Sequence, residues 1–177
     1  MIVMERYEFM ATTATSDRIV GLMFPIIIML PILGIQLALF YLGLNYFFTS
    51  YPIALYLIVL VFFSGSFLLI KRIQENFIKA YVVKLSGKEI RIWCDGDEIL
   101  SGIISFCKLN YKENKLGVRA LSLDIYTETD KIKFRARNKV YQKITGSLTP
   151  NPLGTSESSD IETLLTLGKK IEKAIEE

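Results

Sequence analysis

The pattern with the clearest chemical meaning is a strict alternation of charged and apolar residues at positions 131–137, Lys-Ile-Lys-Phe-Arg-Ala-Arg. Successive side chains of a β-strand point to opposite faces. The four basic residues would therefore share one face of a strand: Lys131, Lys133, Arg135 and Arg137. Two further lysines, Lys139 and Lys143, extend the positive stretch. This strand is the candidate binding site of the chain.

Two interpretations of this basic strand stay open at the sequence level. A solvated basic face also prevents unwanted pairing of a sheet edge. The same face could instead contact anionic lipid headgroups, at about 1 kcal/mol per basic residue close to a membrane surface, or an acidic protein partner. Nucleic acid is not expected, because residues 71–177 carry a net charge of only +4 and no nucleic-acid-binding motif.

Catalytic and metal-binding chemistry is not indicated. The chain has no histidine, which is the commonest general base and metal ligand. Cys94 and Cys107 lie in predicted strands and are expected to be reduced and buried. Asp95, Asp97 and Glu98 are explained by a hairpin turn at Asp95-Gly96. We therefore predict a protein that is not an enzyme and has no cofactor or metal.

The basic strand belongs to a predicted antiparallel meander. Period-two stretches separated by turn residues predict five strands, at about 78–85, 88–94, 98–111, 118–127 and 131–137, with a bend or bulge near Ser101-Gly102. Helical spacing then predicts a closing helix over about 160–176, begun by a capping box of Ser159 and Glu162. The buried face of this helix is expected to contain Leu164, Leu165, Ile171 and Ile175. The loop at 149–159, which precedes this helix, is expected to be mobile.

Ahead of this domain, the 52 residues from Ile19 to Ile70 contain no charged side chain. About 20 apolar residues cross a bilayer as a helix, so this stretch predicts two crossings, at about 19–43 and 52–70, with a break at 45–52. Residues 2–9 are strand-like and are expected to add an edge strand to the sheet. The predicted organisation is thus 1–18, an N-terminal strand and lead-in; 19–70, a transmembrane hairpin; and 71–177, a cytosolic domain.

The loop that connects the two crossings has no Lys or Arg. Basic residues instead lie before the first crossing, at Arg18, and after the second, at Lys71 and Arg72. The positive-inside rule then predicts that both termini are cytoplasmic. One polar residue and four small ones are expected to pack helices together in the membrane: Gly34, Gln36, Ala38, Ser64 and Gly65. The sequence leaves oligomerisation open.

A strand meander closed by an amphipathic helix resembles the pleckstrin-homology-like fold. The whole chain resembles small bacterial membrane proteins in which a two-helix anchor precedes such a domain. The matching stretches are Glu89-Ile-Arg-Ile92, Asp97 to Ile104, Leu121 to Ile125 and Lys131 to Phe134. The resemblance implies a multi-pass protein of the bacterial inner membrane, of α+β class, with a β-meander or barrel.

Two functions are compatible with these features. The first is a membrane-anchored interaction module that docks anionic lipid headgroups or a protein partner at the inner leaflet. The second is a membrane immunity or accessory protein whose hairpin acts on another membrane protein. Charge changes in the basic strand would affect the first, and bulky changes at the small residues of the helices would affect the second.

Overall fold

The computed structural model describes residues 4–43, 45–142, 146–151 and 154–176. The predictions for Ile2, Val3 and Lys143 therefore concern positions outside the described residues. The chain divides into two compact units. One consists of Met1–Asp17 together with Asn76–Glu177, and the other is Arg18–Glu75.

The Arg18–Glu75 unit is built from helices α1 (Ala14–Tyr41), α2 (Asn45–Ser50) and α3 (Pro52–Asn76), the first of which begins four residues earlier in the chain. Both long helices are long and apolar enough to cross a membrane. Each extends beyond the predicted crossing at the end that leads to the sheet, and the predicted break contains a helical turn. Gly43 ends α1 with φ +63°, a conformation that favours glycine. Pro52 is the first residue of α3, where a missing N–H costs nothing.

A hydrogen bond joins the two long helices at the position of a proline. Pro31 lies inside α1 and has no N–H, so the carbonyl of Ile27 loses its usual donor four residues later. The Ser66 hydroxyl of α3 donates to that carbonyl oxygen at 3.3 Å. Ser66 is accordingly buried. The serine restores the hydrogen bond that the proline removes.

The other unit contains six antiparallel strands: β1 (Glu5–Thr13), β2 (Lys79–Ser86), β3 (Glu89–Cys94), β4 (Asp97–Glu113), β5 (Arg119–Thr127) and β6 (Lys131–Arg137). A short hairpin of β7 (Val140–Gln142) and β8 (Leu148–Pro150) follows, and then α4 (Ser158–Glu176). Each of the six strands pairs with its neighbour in sequence. The predicted antiparallel meander is confirmed.

Strand β1 pairs on both sides, which differs from the predicted edge strand. Residues from Glu5 to Ala11 pair with β2, while Thr12 and Thr13 pair with Arg135 and Phe134 of β6. Phe9 and Ala11 contribute to the buried core. The strand order therefore closes on itself, and helices α1 to α3 are inserted between the first two strands of one fold.

Helix α4 packs against β1, β4, β5 and β6. It buries five residues: Ile161, Leu164, Leu167, Gly168 and Ile171. Leu165 and Ile175, which were predicted to be buried, are only partly buried against the same core. A Cβ atom at Gly168 would lie 2.8 Å from a methyl carbon of Leu109, so the helix approaches the sheet closely there.

Two other local predictions concern the start of α4 and the loop before it, and the first is wrong. The capping box of Ser159 and Glu162 is not formed, because α4 begins at Ser158 and the Asp160 carboxylate accepts the N–H of Glu157 at 3.3 Å. In the described part of the 149–159 loop, β8 pairs with β7, and the fully buried Ser156 forms a bridge with Asn138. The mobility expected for this loop stays a prediction.

Candidate functional site

The basic residues of β6 form one side of a wider outward face on β4, β5 and β6. Strand register places the outward side chains of these strands directly opposite one another in four rows. The rows are Phe106–Tyr126–Lys131, Lys108–Asp124–Lys133, Asn110–Ser122–Arg135 and Lys112–Ala120–Arg137. They contain six basic residues and one acid. We call these twelve residues the basic face.

Lys108 and Lys112 are the members that the sequence prediction missed. Before Ser105 the inward residues of β4 are even-numbered, as at Leu100 and Ile104. A register shift between Ile104 and Phe106 inserts Ser105 as an extra residue, and the alternation is reversed beyond it. The irregularity predicted near Ser101-Gly102 corresponds to a separate register shift that leaves Ile99 unpaired between Leu100 and Glu98. That shift does not explain the reversal beyond Ser105. The sequence signal is the apolar series Cys107, Leu109 and Tyr111, which is odd-numbered.

Three of the four predicted basic residues have carboxylate partners. Arg135 donates to Asp124 at 2.6 Å, and Lys133 lies 3.6 Å from the same carboxylate. Arg137 donates to Asp17 at 2.9 Å. These ion pairs lower the free positive charge of β6. The structure thus favours a partly structural role for this strand, and the chemistry of the face depends on its other lysines.

Lys108, Lys112 and Lys131 form no ion pair with any residue that the structure describes. Within the described ranges, no carboxylate oxygen lies within 4.0 Å of these three ammonium groups. All three lysines are exposed. They border both sides of β5, so the face keeps an excess of positive charge although the arginines are paired.

The basic face has an aromatic end. The rings of Phe106 and Tyr126 lie 5.7 Å apart, and Phe106 is 55% exposed. The Lys133 ammonium lies 5.4 Å from the centre of the Tyr126 ring. Hydrogen bonding with Tyr126 and the charge of Asp124 raise the pKa of Lys133, so this residue stays cationic at neutral pH. An exposed aromatic ring beside ammonium groups suits an interface between water and a less polar phase.

A shallow hollow of about 180 Å³ lies at the opposite end of the basic face. The small residues Ala120 and Ser122 of β5 form its floor. Asn110 and Lys112 border it on the β4 side, and Arg135 and Arg137 on the β6 side: together these four carry amide, ammonium and guanidinium donors. Among the described residues, the hollow is lined by several hydrogen-bond donors and by no carboxylate.

The hollow is connected to the start of the first long helix. Asp17, the partner of Arg137, lies in the first turn of α1 and two residues before the charge-free stretch begins at Ile19. The hydroxyl of Thr12 donates to the carbonyl oxygen of Arg135 at 3.0 Å. The basic face is therefore attached to the segment that leads into the apolar helix.

The cysteines and the acidic turn, which were considered for thiol chemistry or metal binding, lie outside the basic face. Cys94 and Cys107 are buried free thiols on the inner face, and burial raises the pKa of Cys107 to about 12. Asp95 has φ 51° in the turn before β4, as expected for a tight hairpin. Over the described ranges, no group of three His, Cys, Asp or Glu residues is arranged to hold a metal ion.

The five residues predicted to pack helices do not join α1 to α3. Gly34, Gln36, Ala38, Ser64 and Gly65 are exposed, and a Cβ atom added at either glycine would meet no atom within 4 Å. The packing of these five residues against a further helix therefore stays a prediction. Ser66, which directly follows Ser64 and Gly65 in the same stretch of small residues, donates the hydrogen bond that joins α1 to α3 at the carbonyl freed by Pro31. Gln36 instead lines an apolar groove of about 380 Å³ between the two helices.

Comparisons of the chain with protein-family models, with curated proteins and with solved structures found no match. The basic face and the two apolar helices are therefore the features of the chain that bear on its function.

Proposed function

We propose that this protein is a non-enzymatic, membrane-anchored interaction module whose basic face docks on anionic lipid headgroups of the inner leaflet. In this proposal α1 and α3 span the membrane as a hairpin, both termini are cytoplasmic, and the sheet with α4 is a pleckstrin-homology-like domain of a bacterial inner-membrane protein. The six basic residues against one acid on the basic face are the observation that carries the proposal.

The binding free energy expected between the basic face and an anionic bilayer is small but sufficient for an anchored domain. A basic residue near an anionic bilayer contributes about 1 kcal/mol, so Lys108, Lys112 and Lys131 together contribute about 3 kcal/mol, or roughly a hundredfold in an equilibrium constant. The anchor keeps the domain at high effective concentration near the surface. Docking therefore needs no high intrinsic affinity.

An orientation experiment tests the topology. Thr49, in α2, and Ser101, on β4, are both exposed and can each be replaced by cysteine. An impermeant maleimide should label Thr49→Cys in intact cells and Ser101→Cys only after lysis. The native thiols are buried and should give little background. Labelling of Ser101→Cys in intact cells would contradict the proposed orientation.

A fluorescence experiment tests the docking. The full chain with Ser105→Cys carries a nitrobenzoxadiazole label beside the aromatic end of the basic face, in nanodiscs of phosphatidylcholine with or without phosphatidylglycerol. We expect a blue-shifted emission with phosphatidylglycerol that is lost in 1 M salt, where the Debye length is about 3 Å. The double change Lys108→Gln with Lys131→Gln should remove the shift.

The matched control changes two exposed lysines outside the basic face, Lys88→Gln with Lys169→Gln, and should leave the shift intact. Identical spectra in neutral and anionic nanodiscs at low salt would exclude lipid docking and leave an acidic protein partner as the ligand of the basic face.

The exposed small residues of the helices favour a second candidate function. Gly34 and Gly65 leave open space on α1 and α3 that one copy of the chain does not use. In this alternative the hairpin acts on another membrane protein, as an immunity or accessory protein would. A photocrosslinking residue at either glycine should then capture one membrane protein that the same residue at Leu57, a 57% exposed position of α3, does not capture. Equal crosslinking at all three positions would refute it.

A further inference from the structure

We propose that the hollow over β5 is a binding site for a single phosphomonoester group. The inference rests on the proposed function and specifies the chemistry of one part of the basic face. Its ligand is a phosphate with three terminal oxygens, supplied either by a lipid such as phosphatidic acid or by a soluble phosphomonoester.

Strand spacing gives the hollow a width that suits this group. Neighbouring strands lie about 4.8 Å apart, so the outward residues of β4 and β6 stand about 10 Å apart across β5. Between them the floor is lowered by the small side chains of Ala120 and Ser122. A larger residue at either position would fill the hollow of about 180 Å³.

The donors converge from both sides. Lys112 contributes an ammonium group without a carboxylate within 4.0 Å in the described part of the chain. Arg135 and Arg137 contribute guanidinium groups, which match phosphate geometry with two parallel hydrogen bonds. Asn110 and Ser122 add an amide and a hydroxyl. Donors on several sides match three terminal oxygens better than the two non-bridging oxygens of a diester.

The carboxylate partners orient the arginines without using all of their donors. Each guanidinium has five N–H groups. One terminal nitrogen of Arg135 donates hydrogen bonds to the Asp124 carboxylate and to the carbonyl oxygen of Phe134. One terminal nitrogen of Arg137 donates to the Asp17 carboxylate. The other N–H groups of these two arginines have no hydrogen-bond acceptor among the described residues and can bind a ligand. Asp17 nevertheless competes with a bound phosphate for Arg137, so its removal should strengthen binding.

Calorimetry with the full chain in phosphatidylcholine nanodiscs tests this site. The probes are methyl phosphate, a monoester, and dimethyl phosphate, a diester, at constant ionic strength. We expect saturable binding of methyl phosphate and much weaker binding of dimethyl phosphate. Lys112→Gln should weaken methyl phosphate binding at least about tenfold, since it removes a charged hydrogen bond. Asp17→Asn should strengthen binding several-fold, and Lys88→Gln should leave it unchanged.

Nanodiscs that contain phosphatidic acid distinguish the two sources of the phosphate. If phosphatidic acid occupies the hollow, methyl phosphate binding is lost in these nanodiscs, and the ligand is a lipid. If methyl phosphate binding is unchanged, the ligand is a soluble phosphomonoester. Absence of saturable binding to the wild-type chain, equal binding of the diester, or an unaffected Lys112→Gln variant would each overturn the inference. The phosphatidylcholine assay contains no anionic lipid, so its outcome is independent of the docking experiment above.

Discussion

Replacement of Phe9 by alanine tests whether the segment before the membrane helices is part of the sheet. Phe9 is 4% exposed in the core. Its ring stacks on Tyr81 with centroids 5.9 Å apart and meets the edge of Phe134 at 5.2 Å. Truncation of a buried phenylalanine to alanine costs about 3–5 kcal/mol. That is a large part of the 5–15 kcal/mol by which a typical domain is stable.

The assay is urea unfolding of the full chain in mild detergent, followed by tryptophan fluorescence. Trp93, the single tryptophan, lies on β3, so its signal reports on the sheet and not on the apolar helices. With a urea dependence of about 2 kcal/mol per molar for a domain of this size, a loss of 4 kcal/mol lowers the midpoint by about 2 M.

The next residue supplies a matched control. Met10 lies on the same strand, is 48% exposed and binds Asp160 through its backbone N–H, which a side-chain change retains. Met10→Ala should therefore change the free energy of unfolding by no more than about 0.5 kcal/mol. If Phe9→Ala and Met10→Ala shift the midpoint equally, β1 is not part of the folded core and the insertion of the hairpin within one fold is refuted.

Three further predictions concern the helices and one ion pair. Ser66→Ala should destabilise the helix pair by about 0.6–2 kcal/mol in detergent unfolding. In a Pro31→Ala chain the same change should cost less, because residue 31 again donates an N–H to the Ile27 carbonyl. An equal cost in the wild-type and Pro31→Ala chains would contradict the hydrogen bond. Leu164→Ala should lower the free energy of unfolding by about 2–5 kcal/mol, and an unchanged urea midpoint would show that α4 is not docked. Hydrogen bonds from Lys170 and Tyr7 lower the pKa of Glu5, so its stabilising effect is present above its ordinary pKa of 4.5 and is lost as the pH falls through the lowered value. Glu5→Gln should accordingly reduce stability at pH 7 more than under strongly acidic conditions, and an equal effect at both would refute the linkage.

Much of the fold follows from patterns within single segments. The long apolar stretch predicts two helices, alternation predicts the strands, and helical spacing predicts α4, since each pattern reflects which face of one element is buried. These predictions agree with the structure because the periods of a helix and a strand are properties of the local backbone. The buried faces of Leu164 and Ile171 were predicted in this way.

The candidate site was only partly predictable, because it depends on contacts between segments distant in the chain. Alternation showed that Arg135 and Arg137 share a face, but not that Asp124 and Asp17 pair with them, since Asp17 precedes Arg137 by 120 residues. The bridge between Ser156 and Asn138 likewise depends on pairing with another segment.

Local residue patterns are enough to predict which segments are apolar helices, which are strands, and which strand carries concentrated positive charge. They do not predict that β1 closes the sheet or that Lys108 and Lys112 join the basic residues of β6 on one face. Both features depend on strand register, which is set by a bulge of one residue at Ser105 and by pairing across the sheet. A shift of one residue would turn those lysines toward the core, so the composition of the face is a property of the assembled sheet.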